Sequence, residues 1–159
     1  MVMVILGIFA AFVAPRIGDV GGAALNKNAR KLAHVITYLY SQASAQNRML
    51  RFTFNLETGK YYAAALNSSG AFEPVEHTLF STGKLSDGIS IVRFTTLFNG
   101  NFVGENVYFH LMPEGFAEKA VIILRDRKGR MLSLTVDPLT GRVSIDRVEG
   151  RIEFEAQAA

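Results

Sequence analysis

Residues 24–47 read ALNKNARKLAHVITYLYSQASAQN, and the way this stretch folds decides how the rest can be arranged. Leu25, Ala29, Leu32, Ile36, Leu39 and Ala43 recur at three- and four-residue steps, whereas Lys27, Arg30, Lys31 and Gln42 fall off that face. This period belongs to an amphipathic helix with one side against a core.

Upstream the chain is apolar without a stripe. It opens MVMVILGIFAAFVAPRIGD, unbroken over residues 1–14 and closed by Pro15 and Arg16. A helix apolar on every side calls for lipid or for partners all round it. Yet a bilayer core needs about 20 apolar residues, and this run is shorter. No charged region precedes it, and Ala10, Ala11 and Ala14 are followed by Pro15 rather than by an open cleavage site. That is unlike a secretory signal peptide. The run is expected to be the end of a longer segment, with IGDVGGA a pause before the amphipathic helix. One part in lipid and the next on a domain would explain the contrast.

Downstream the period changes to two. In MLRFTFNL, Leu50, Phe52, Phe54 and Leu56 share one face, with Arg51, Thr53 and Asn55 on the other. ETGK is a turn and YYAAALN completes a hairpin. Residues 67–88, NSSGAFEPVEHTLFSTGKLSDG, read as a long irregular connection. GISIVRF, NVYFHLM, AVIILRD, MLSLTVD and RVSIDRV are further strands, with DRKG and DPLTG as turns. One helical region followed by a run of strands predicts an α+β domain with a mostly antiparallel sheet.

Composition narrows the chemistry. The 159 residues are 49% hydrophobic and 19% charged, enough for a substantial core and too apolar for disorder. The absence of cysteine excludes disulfides, thiolate metal sites and a cysteine nucleophile. His34, His77 and His110 are scattered, with no pair at the helical spacing of a metal site. The serines lack a nucleophile-elbow context, and the glycines of TGK and DRKG suit turns better than phosphate cradles. Asp87 and Asp137 adjoin Gly88 and Pro138, where turn formation accounts for them. Glu153 and Glu155 read as a solvated face rather than an acid–base pair. No enzyme, no cofactor and no metal is expected.

The net charge is only +3, but the basic residues gather late. Between residues 119 and 151 lie Lys119, Arg125, Arg127, Lys128, Arg130, Arg142, Arg147 and Arg151 against Asp126, Asp137, Asp146 and Glu149. They read first as solvation of strand ends and turns. The alternative is a phosphate-binding strip.

The order of these pieces resembles type IV pilin-like proteins. Their hydrophobic helix carries a small-residue break near its middle and a proline at its end, as do Gly7 and Pro15 here. The resemblance makes Val2, Val4, Ile5, Leu6, Gly7, Ile8, Phe9, Phe12, Val13 and Pro15 a membrane anchor and filament core. The class also has a glycine cleavage point, a first mature phenylalanine and a nearby acidic residue, which would fall before Met1. Restoring about seven residues would bring the run to the roughly 20 that a span requires.

Within that class the chain is most similar to the GspH/FimT pseudopilins. They share a helix with spaced alanines like ARKLAHVITYLYSQASAQN, a strand with a basic residue like MLRFTFN, and a late turn like DPLTGRVSI. Nothing here resembles the calcium-binding tail of major pseudopilins. The resemblance implies a pilin-like α+β fold: residues 1–22 as a hydrophobic helix, and residues 23–159 as a globular domain. That domain would hold an amphipathic helix over 24–47 and a β-rich part over 49–155.

The function implied is a minor pseudopilin of a type II secretion system, anchored once in the bacterial inner membrane with its domain in the periplasm. Its partners would be other pseudopilins, the inner-membrane secretion platform and secreted cargo. The alternative is a FimT-like minor pilin that binds DNA for uptake through Arg142, Arg147 and Arg151.

Overall fold

The computed structural model describes residues 20–75, 82–97, 100–101 and 104–149. The anchor residues from Val2 to Pro15 lie outside the described residues, as do His77, Arg151, Glu153 and Glu155. Among the described residues, no helix is long and apolar enough to cross a membrane.

The amphipathic period forms α1 (Val20–Ala45), which starts before residue 24 and takes in the VGGA expected to belong to a pause. All six apolar positions of its stripe are buried, and so is Val35 beside them. Lys27, Arg30 and Lys31 are exposed. The helix ends at Ala45 rather than at residue 47 because Asn47 takes a left-handed conformation (φ 49°). Asn47 N then donates to Ser44 O at 3.2 Å, and Arg48 N to Ala43 O at 3.0 Å. Both bonds satisfy carbonyls that a helix end leaves open, and asparagine tolerates that φ better than most residues.

The strands are β1 (Leu50–Asn55), β2 (Lys60–Leu66), β3 (Phe72–Pro74), β4 (Thr82–Lys84), β5 (Ser90–Thr96) and β6 (Gly100–Asn101). They continue as β7 (Asn106–Met112), β8 (Phe116–Ala117), β9 (Ala120–Arg125), β10 (Met131–Val136) and β11 (Val143–Arg147). They form two sheets rather than one. The first runs β3-β2-β1-β7-β8, with β4 also on β2, and the second runs β11-β10-β9-β5-β6. The described pairings are all antiparallel.

The stretch expected to be irregular, residues 67–88, supplies β3 and β4. Each is three residues long. That is too short to show alternation, so pairing with β2 makes them strands. Pro74 sits at the edge of the sheet, where a missing N–H costs least.

The sheets share no strand; Ala117 N of β8 donates to Pro138 O after β10 at 2.7 Å, and side chains do most of the joining. Phe54 meets Phe94 across the gap at 5.8 Å between ring centroids, and Phe94 meets Phe109 at 6.3 Å. Along one side α1 touches β1 and β7 of the first sheet and β9, β10 and β11 of the second. Burying Leu25, Leu32, Val35, Ile36 and Leu39 contributes on the order of 10 kcal/mol before chain entropy is subtracted.

Two polar clasps fix the helix in place. Near its start, Asn28 is 5% exposed, and its Nδ2 donates to Ser86 Oγ at 2.9 Å while Ser86 N donates to its Oδ1 at 3.0 Å. Further on, Tyr40 Oη lies 2.5 Å from Gly115 O and 2.7 Å from Leu139 O. Thr37 Oγ1 donates to Gly141 O at 3.0 Å. The turn DPLTG therefore does more than reverse the chain: it locks onto α1. Gly141 has φ 64°, and a Cβ there would overlap the Tyr40 ring.

Gly141→Ala is expected to destabilise the fold by about 2–4 kcal/mol, from left-handed strain plus overpacking against the ring. Tyr40→Phe, which removes only a hydroxyl, is expected to cost about 1 kcal/mol. Urea unfolding monitored by circular dichroism measures both. Equal midpoints for Gly141→Ala and the parent chain would contradict the clasp.

Candidate functional site

The outward face of the first sheet carries a linked polar arrangement. Alternation along β1 sends Phe52 and Phe54 into the core, both 0% exposed, and turns Arg51 to the other face. Arg51 stands opposite Ala64 of β2 and His110 of β7, while Thr53 stands opposite Tyr62 and Tyr108. The guanidinium carbon of Arg51 lies 3.7 Å from the centre of the Phe72 ring and 4.4 Å from that of Tyr108. Cation–π attraction holds it against both.

Behind Arg51 a polar chain leads inward. Arg51 Nε donates to His110 Nε2 at 3.2 Å. His110 Nδ1 lies 3.2 Å from Glu118 Oε2, an oxygen that also accepts from His110 N at 3.2 Å. Arginine offers only donors, so Nε2 must accept, which puts the imidazole proton on Nδ1 facing the carboxylate. Glu118 is 3% exposed. The arrangement is carboxylate, imidazole, guanidinium, running from the interior to the surface.

A cavity of about 300 Å³ opens in front of Arg51, lined among others by Thr53, Tyr62, Phe72, Asn106 and Tyr108. Two of these features had a signal in the sequence: the basic residue in MLRFTFN, and His110 within the strand NVYFHLM. The structure gives His110 its neighbours. Glu118 had none, because the two-residue β8 that carries the chain back past β7 leaves no periodicity to read.

The basic residues behave differently. Arg142 and Arg147 are both exposed, but they stand at opposite ends of β11, on the order of 17 Å apart at strand rise. Arg147 pairs with Leu132, on the face toward α1, while Asp146 pairs with Ser133 on the other face. Arg130 is engaged by Asp126, Nε to Oδ2 at 2.7 Å. Among the described residues of the strip, Arg130 is thus tied to a carboxylate, and Arg142 and Arg147 do not converge.

The remaining candidates take structural places. His34 is exposed on α1. Asp87 lies 3.7 Å from Lys84 in an exposed pair, of a kind that contributes little. Asp137 Oδ1 accepts from Leu139 N and Thr140 N, each at 2.9 Å, and so shapes the clasp turn. Among the described residues, no three histidine or carboxylate side chains gather as a metal site.

No protein-family model matches the sequence, and no curated protein matches it. Solved structures do match. EpsH, a minor pseudopilin of the type II secretion system of Vibrio cholerae, superposes in one crystal structure with a TM-score of 0.65 at 9% identity. That match covers 81% of this chain and 98% of the solved EpsH chain. A second structure of EpsH gives 0.60 at 8% identity, over 78% of this chain and 95% of that one.

The fold is that of a minor pseudopilin. The solution structure of Escherichia coli GspH agrees, with a TM-score of 0.58 at 8% identity over 86% of this chain and 96% of GspH. Identity this low means that the pseudopilin fold is reached here with different side chains.

Two carboxyls of this pseudopilin fold link stability to pH. Burial pushes the Asp126 carboxyl up, but hydrogen bonds and charge from Arg130, with the Lys128 N–H, outweigh it and hold it below its ordinary 3.8. Asp137 is held below the same value by the N–H groups of Thr140 and Leu139 and by the Thr140 hydroxyl. A carboxyl whose value is lower folded than unfolded contributes stability that is fully present above the unfolded value. That stability is lost as pH falls through the folded one. The melting temperature is therefore expected to fall between about pH 5 and pH 2, and to fall less in a double Asp126→Asn, Asp137→Asn variant. Parallel profiles would contradict this linkage.

Proposed function

We propose that this chain is a minor pseudopilin subunit of a type II secretion system, assembling into a short periplasmic filament that drives protein export. The observation that carries this reading is the superposition on 98% of the solved EpsH chain. The apolar run before α1 supports it, since it supplies the segment that such a subunit would keep in the inner membrane and then in the filament core. The role is mechanical: α1 and the run before it bundle with neighbouring subunits, while the two sheets present a surface to siblings or cargo. No catalytic step is assigned to the chain.

The DNA-uptake reading would need phosphate contacts acting together. Arg142 and Arg147 at opposite ends of β11, with Asp146 between them, give it no focus. We therefore place secretion first.

The chain has no cysteine, so one introduced residue is a unique crosslinking site. Lys27→Cys, on the exposed side of α1, is expected to crosslink to pseudopilins of the same system in membranes of the native cell. Export of the secreted proteins should fail when the gene is deleted. The full chain should also remain with the membrane fraction until detergent is added. Normal export in the deletion strain, with no pseudopilin adducts, would overturn the proposal. Submicromolar, salt-sensitive binding to duplex DNA, lost on replacing Arg142, Arg147 and Arg151 with glutamine, would put the uptake reading in its place.

A further inference from the structure

The arginine on the outer face of the first sheet is prepared for a ligand that no residue of the described chain provides. We propose that the slot around Arg51 binds an acidic side chain, aspartate or glutamate, presented by a partner protein.

The guanidinium is already immobilised. Phe72 and Tyr108 pack against it, and Nε is committed to His110, itself held by buried Glu118. Ordering a long side chain before binding lowers the entropy lost when a partner arrives. The terminal nitrogens are what remains, and no described residue accepts from them. Paired N–H groups of this kind match a planar carboxylate through two parallel hydrogen bonds.

The surroundings agree with a carboxylate on a polypeptide. Asn106 accepts from Asn55 Nδ2 at 3.1 Å through its Oδ1, which leaves its own amide N–H groups as donors. The buried Glu118 carboxylate behind His110 already balances much of the Arg51 charge. A carboxylate adds one negative charge near Glu118 and a dianionic phosphate adds two, so the carboxylate is the less opposed ligand. Arginine flanked by aromatic rings, with Tyr62 39% exposed beside it, has the composition of a protein-interface anchor. The site stands independently of the secretion reading. Failure of export tests that reading, and peptide binding to the purified chain tests this one.

The test uses the full chain, isotopically labelled in neutral detergent micelles, and follows the Arg51 Nε–H and Tyr108 amide resonances at constant ionic strength. The probes are two capped tripeptides, acetyl-Ala-Glu-Ala-amide and acetyl-Ala-Gln-Ala-amide, and inorganic phosphate. The glutamate peptide is expected to shift both resonances saturably, and the glutamine peptide to leave them in place. Arg51→Gln should abolish the shift. Arg51→Lys, which keeps the charge and most of the stem, should weaken binding about fivefold or more through loss of the fork. If Arg51→Gln disturbs the fold, the lysine variant decides alone. Equal binding of the two peptides, undiminished binding by Arg51→Lys, tighter binding of phosphate, or no saturable shift would each overturn the proposal.

Discussion

The constraint on which the structure depends is that its two sheets share no strand. Backbone hydrogen bonds hold each sheet together but join them only near the strand ends, as from Ala117 N of β8 to Pro138 O after β10 at 2.7 Å, so the joint is made chiefly of side chains. The apolar stripe of α1 provides much of that joint, with Leu32, Ile36 and Leu39 almost wholly removed from water. Hydrophobic burial is non-directional and would let the helix slide or rotate. The clasps at Asn28–Ser86 and at Thr37 and Tyr40 with the 137–141 turn supply the direction. Close packing of Gly141 under the Tyr40 ring then sets the depth at which the helix sits.

Much of this was legible in the sequence because it is periodic. The stripe from Leu25 to Ala43 gave the buried side of α1, and alternation in MLRFTFNL separated Phe52 and Phe54 from Arg51. Elements without room for a period were not legible. The three-residue strands β3 and β4 and the two-residue β6 and β8 exist through their partners, so no local pattern announces them. The division into two sheets was hidden for a related reason, since alternation tells which residues face inward but not which strands pair. DPLTG was readable as a turn, but its grip on Tyr40 spans 99 residues of sequence.

The candidate site was legible in the same partial way. Arg51 and His110 stood out by type and by strand position, but the array depends on register, which sets Arg51 directly opposite His110. It also depends on Glu118, buried with no motif around it. The basic residues show the converse. They are dense in sequence, yet β11 carries Arg142 and Arg147 to its two ends, so density along the chain does not become density in space. A surface for partners is better sought on the outer face of the first sheet, where a buried polar chain already holds one cation in place.

The central claim, that α1 joins the two sheets into one cooperative unit, is tested most directly by native-state hydrogen exchange on the full chain carrying Leu39→Ala. Truncation of this side chain should cost about 2–5 kcal/mol. The claim requires that cost to appear equally at Phe52 and Phe109 in the first sheet and at Ile122 and Leu134 in the second. A common drop in opening free energy across both sheets is the predicted result. Loss of protection in one sheet with the other unchanged would contradict it.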